Sequence, residues 1–176
     1  MHGEGLRDYI RHKGEALRAA AIRRPRGEDW HETIEATVVA DDRTGVRKLR
    51  IRDWQFIGDS GADFGGANLG PSSPELLCGV IGTCLAHTYL IGAATLGILV
   101  DGVAVRVTAE NNDARFLGIE TSDPAVPFNL TAYVTIEAGE ATTADVATLH
   151  RYAAERCPLS NLIRTANPVT IVTGSP

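Results

Sequence analysis

A chain of 176 residues, 44% hydrophobic and 22% charged, is long enough to bury a core of its own, and its formal net charge of −5 gives no basic excess of the kind that binds nucleic acid. Three cysteines are too few for a secreted disulfide framework, and no signal-peptide apolar core opens the sequence. Cytoplasm is therefore the expected compartment, with reduced thiols as the resting state.

The charge is uneven. Residues 1–27 hold seven Lys/Arg against three Asp/Glu, whereas 28–176 are net −9. Residues 1–27 are expected to form a basic helical extension, and 28–176 a single domain. In the extension, residues 4–22 carry Leu6, Tyr9, Ile10, Leu17 and Ala21 roughly on one helical stripe, and RRPRGED breaks it. Its basic face is expected to meet solvent or the acidic body of a partner subunit. TIEATVVA (33–40) alternates as a half-buried strand does, DDRTG (41–45) is a turn by composition, and 46–58 resume as the second arm of a hairpin.

GDSGADFGGANLGPSSP (58–74) is a glycine-rich loop of a length that is usually functional or mobile. It ends in a helix start, with Ser72 or Ser73 as cap, Pro74 in the first turn and Glu75 beside the positive dipole end. The helix is expected to run to Leu96 and close at Gly97. From Leu76 to Val100 there is no Lys, Arg, Asp or Glu, enough to span a bilayer by length. Four glycines, His87 and Thr88 dilute it, and no basic cluster flanks it, so a buried central helix rather than a membrane span is expected. Strands follow at 101–110 and 128–138, a helix at 144–156 capped by Thr142 or Thr143, a short helical turn from Pro158, and a closing strand at 168–173. This succession makes an α+β fold.

The cysteines carry the chemistry. Cys78 and Cys84 lie on one helix, about 9 Å apart in rise and about 120° apart in direction, so they cannot pair with each other. Any reacting pair includes Cys157. No Cys-x-x-Cys or His-x-x-x-His spacing supports a metal site. Cys157 precedes Pro158 and so marks a backbone break. As the last residue of the incoming helix its thiolate is disfavoured; as the cap of the next turn it is favoured, and sequence does not choose. His87 follows Cys84 by three residues on the same face, where it tunes the thiol or packs as a core histidine. Cys78 reads as packing, and Trp54 and Phe56 as strand aromatics of the core or of an apolar pocket.

GPSSPELLCGVIGTCLAHTYLIGAATLGI with the following DGVAVRVTAE strand resembles the central helix and next strand of the OsmC/Ohr family, and AERCPLSNLI resembles its second-cysteine motif. The elements come in the family's order over roughly 32–173. The resemblance implies an OsmC-like fold, antiparallel sheets around a long buried central helix, in an intertwined homodimer with active sites at the subunit interface. It implies a peroxidase for organic hydroperoxides without a cofactor. Cys84 matches the peroxidatic position and Cys157 the resolving one, so that a Cys84 sulfenic acid condenses with Cys157 and an external thiol, lipoyl-bearing in some members, reduces the disulfide.

The family also supplies an arginine from the first hairpin tip, held by a glutamate near the start of the long helix. Arg43 occupies the matching turn, with Arg50 and Arg52 as rivals. The glutamate departs from the pattern: the position ten before the cysteine is Pro74, and Glu75 stands nine before, about 180° around a straight helix from Cys84. The competing expectation is a noncatalytic dimer that binds a small hydrophobic ligand in the same interface cavity.

Overall fold

A computed structural model describes residues 5–165 and 167–172. The elements are α1 (Leu6–Arg23), β1 (Thr37–Ala40), β2 (Arg47–Ile51), β3 (Trp54–Gly58), α2 (Ser73–Leu96), β4 (Gly102–Glu110), β5 (Phe128–Glu137), α3 (Thr143–Arg156) and α4 (Pro158–Arg164). The α+β class and the long central helix appear as expected. The chain divides into two compact units. One joins the described residues up to Glu15 with Thr83–Val105 and those from Val134 on; the other joins Ala16–Gly82 with Arg106–Tyr133.

In the second unit, β1, β2 and β3 form an antiparallel sheet with Thr37 opposite Arg50 and Ile51 opposite Trp54. The single strand expected over 46–58 is therefore two. Arg52 turns the chain at φ 54°, in a region that non-glycine residues seldom adopt, and Asp53 completes a two-residue connection. The β1–β2 turn is held by Asp41, whose carboxylate accepts from the Arg43 and Thr44 amides and from Lys48 Nζ at 2.7 Å. The glycine-rich loop is pinned by buried Asp59, whose carboxylate accepts from the amides of Ala67 and Leu69 at 3.1 and 2.9 Å. The short 3₁₀ turn Ala62–Phe64 lies between them.

Helix α2 begins where the Ser72 amide and hydroxyl donate to Glu75 Oε2, both at 2.7 Å, so that the glutamate reaches back over the first turn to the residue that precedes the helix. It ends at Gly97, φ 71°, with the Ile98 amide donating to Ala93 O at 3.0 Å. By length and composition this helix is able to cross a membrane. Within one chain its burial is one-sided: Leu85, Thr88, Tyr89, Gly92 and Ala93 are buried, whereas Val80 is 52% exposed.

In the first unit, α3 approaches α2 where Tyr89 Oη lies 2.7 Å from His150 Nδ1, the two rings meeting edge-on, and it buries Leu149, Ala153 and, at its cap, Cys157, spaced four apart. Gly92 permits the approach, since a β-carbon there would stand 2.8 Å from the Tyr152 ring. The first turns of α1 are anchored in the same unit: Ile10 is fully buried and Arg7 Nε donates to Asp101 Oδ1 at 2.5 Å. β4 and β5 pair, with the Asp101 amide bonded to Glu137 O and Asn129 Nδ2 to Glu110 at the other end, so the strands run antiparallel. The strand expected at 168–173 does not form over 168–172; Thr173 lies outside the described residues. Val169, Ile171 and Val172 alternate or follow as strand residues do, but they are exposed and pair with no strand among the described residues.

Candidate functional site

Two elements deliver sulfur to one place. Cys84 sits mid-way along α2, and Thr88, one turn on, donates from its hydroxyl to the Cys84 carbonyl at 2.8 Å. Cys157 is at once the last cap of α3 and the first cap of α4: its amide donates to Ala153 O and its carbonyl accepts from the Asn161 amide, both at 3.0 Å. Its backbone is extended, φ −65° and ψ 114°, because Pro158 excludes the helical region from the residue before it. Seventy-three positions apart in sequence, the two Sγ atoms lie 3.6 Å from one another. That is hydrogen-bonding range for thiols, and closure to a disulfide of about 2.05 Å needs a shift of about 1.5 Å.

The thiols differ. Cys157 is 0% exposed, and Cys84 is only partly covered. Burial alone opposes ionisation of Cys157 and is its largest single influence. The Ser160 hydroxyl and amide lead the influences that outweigh it and hold its pKa below the ordinary thiol value. Burial pushes the Cys84 thiol up, and the neighbouring Cys157 adds to this; the Leu159 amide and Thr88 do not compensate. The ambiguity of the break at Cys157 is thereby resolved, since the donors belong to the turn that it caps rather than to the helix that it ends.

Arg43 is in the β1–β2 turn, and Glu75 closes the start of α2, its carboxylate held below the usual range by the Ser72 amide and hydroxyl. Both belong to the unit of the three-stranded sheet, and among the described residues they form no ion pair with each other. The rival Arg50 donates from Nε to Arg52 O at 3.1 Å. His87 is not a core histidine: it is exposed, and its Nε2 lies 3.1 Å from Lys13 Nζ. Trp54 and Phe56 are likewise not core within one chain, Trp54 being 64% exposed. Among the described residues no group of three His, Cys, Asp or Glu side chains could hold a metal ion.

Ser160, Thr88 and Lys13 are the contributors that sequence reasoning misses. Ser160 stands inside the Cys-Pro-x-Ser motif and Thr88 four after Cys84, so spacing carries a signal for both. Lys13 carries none.

A comparison with curated proteins finds no match. Among solved structures, an OsmC-like protein from Mycoplasma pneumoniae superposes with a TM-score of 0.64 at 14% identity, over 76% of this chain and 88% of that one. An organic hydroperoxide resistance protein OsmC from Legionella pneumophila gives 0.54 at 17% identity, over 76% and 90%. An OsmC-like protein of unknown function from Vibrio cholerae gives 0.56 at 12% identity, over 74% and 93%. At these identities the likeness is one of fold. The family model described as OsmC-like protein matches residues 65–172, which take in α2, Cys84, Cys157 and the Cys-Pro break. With that match over more than half of its length, the chain belongs to the OsmC-like protein family.

Proposed function

We propose that this chain is a thiol peroxidase that reduces organic hydroperoxides through Cys84 and Cys157. The observation that carries the reading is the 3.6 Å approach of the two sulfurs, one partly accessible and the other buried at a backbone break. A hydroperoxide reaches Cys84 first. As Cys84 attacks the terminal oxygen its proton passes to Cys157, and the O–O bond breaks to give a Cys84 sulfenic acid and an alkoxide. The alkoxide takes the proton back from Cys157 and leaves as alcohol. Cys157, again a thiolate, attacks the Cys84 sulfur, forming the disulfide and expelling hydroxide, which solvent protonates to water. Two equivalents of an external thiol restore both cysteines and leave as a disulfide.

In this reading Cys157 is base, acid and resolving nucleophile in turn, and Arg43 and Glu75 act by orienting groups around Cys84 in a homodimer. The dimer is supported by apolar surface that a single chain leaves open: the three-stranded sheet shows Val38, Val39, Trp54 and Phe56, and α2 shows Val80. Steady-state consumption of cumene hydroperoxide with a dithiol reductant tests the proposal. Cys84→Ser is expected to abolish turnover, and Cys157→Ser to leave a single oxidation without resolution. Undiminished turnover in Cys84→Ser contradicts the proposal.

A further inference from the structure

The N-terminal helix α1 lies outside the segment that the family model matches, yet it reaches back to the redox helix. Lys13 Nζ lies 3.1 Å from His87 Nε2 and 3.4 Å from Tyr9 Oη, and sits over the Tyr9 ring at 5.5 Å from its centroid. An ammonium only donates, so His87 Nε2 accepts from it and the ring is in its neutral form, with its proton on Nδ1. Partial desolvation, then the Lys13 charge, lowers the His87 pKa. Both neighbours of this half-buried cation are thus uncharged, and no carboxylate pairs with it among the described residues. The Tyr9 hydroxyl, accepting from Lys13, keeps its own proton to donate outward. His87 is three residues from Cys84 on α2, which sets their β-carbons about 5–6 Å apart.

The disulfide itself dictates what has to arrive there. Cys157 is fully buried, so an incoming thiolate meets the Cys84 sulfur, and Cys157, steadied by Ser160, is the better leaving group. We infer that Tyr9, Lys13 and His87 form an anion-binding site that docks the carboxylate of a small acidic thiol, the reductant of the Cys84–Cys157 disulfide. The inference builds on the peroxidase reading for its place in the cycle. The thiolate attacks Cys84, forming a mixed disulfide and releasing Cys157 as thiolate. A second thiolate attacks the sulfur of the docked reductant, releasing Cys84 and leaving as the oxidised disulfide.

The test separates the two readings by making the disulfide with diamide rather than with peroxide. The oxidised full-length protein is then reduced by 3-mercaptopropionate, 2-mercaptoethanol or cysteamine, with rate constants taken per thiolate. The wild type is expected to favour the acidic thiol over the cationic one. That ratio falls roughly tenfold in Lys13→Met, falls further in Lys13→Glu and survives in Lys13→Arg. Equal rates for the three thiols in the wild type, a ratio unmoved by Lys13→Met and Lys13→Glu, or failure of diamide to form the disulfide overturns the inference. A protein that closes with diamide but not with cumene hydroperoxide loses the peroxidase reading and leaves this result standing.

Discussion

The Ser160 hydroxyl and amide, three residues on from Cys157, hold the pKa of this fully buried thiol below its ordinary value, against the burial that opposes ionisation. Removing the hydroxyl in Ser160→Ala leaves the amide in place. The Cys157 pKa is expected to rise, because one donor to the charged form is lost. Thiolate absorbance at 240 nm against pH reads this directly. The direction follows from the sign: a donor to the charged form holds the pKa down, so its loss shifts the titration to higher pH. Disulfide closure near neutral pH should slow by several-fold.

Gly92 is the contact that lets α3 bring Cys157 to Cys84. In Gly92→Ala the new methyl meets the Tyr152 ring at 2.8 Å, and either the ring or the helix has to move. Overpacking of this kind costs about 1–3 kcal/mol. Urea unfolding should show that loss, together with slower sulfur pairing, whereas Gly79→Ala, where a β-carbon meets nothing within 4 Å, should leave both near the wild type.

Asp59 holds the glycine-rich loop by its charge. The Leu69 amide, then that of Ser60, keep its pKa below the ordinary carboxylate value against the opposing effect of burial. A carboxylate with a lowered folded pKa contributes stability that is complete above its unfolded value of about 3.9 and is lost as pH falls through the folded one. Hydrogen exchange at the Ala67 and Leu69 amides should therefore stay slow at pH 5 and quicken below about pH 4. In Asp59→Ala it should be fast throughout.

The open apolar surface leads to a concentration-dependent prediction. Sedimentation should find a dimer, and Val80→Glu, which places a charge on the 52% exposed flank of α2, should weaken it by at least about tenfold. A wild-type monomer at all concentrations contradicts the dimer proposal.

Much of the fold is legible because local chemistry writes it. Pro74, Gly97, Thr142 and Pro158 mark helix ends that lie within one residue of where spacing sets them. The β2–β3 break is not legible, since Arg52-Asp53 offers none of the Asn-Gly or Gly signals of a two-residue turn, and Arg52 takes its positive φ without them. The alternation at 168–172 is genuine, but a strand is a pairing, and a sequence cannot say whether an edge is within reach. At the site, the break at Cys157 follows from Pro158, and the meeting of the two sulfurs comes from the family resemblance. Lys13 beside His87 needs the docking of α1 through Ile10 and Arg7, a long-range fact that no local pattern carries.

The central claim is that Cys84 and Cys157 close on one another when Cys84 is oxidised. Intact mass and peptide mapping after one equivalent of cumene hydroperoxide, beside one of hydrogen peroxide, test it most directly. The account predicts loss of two hydrogens, a Cys84–Cys157 linked peptide, and faster closure with the organic peroxide. In Cys157→Ser the oxidised product should stop at a Cys84 sulfenic acid that dimedone traps. Thiols that stay reduced, or that oxidise slowly without joining, contradict the account and leave ligand binding in a dimer as the better reading of the same fold.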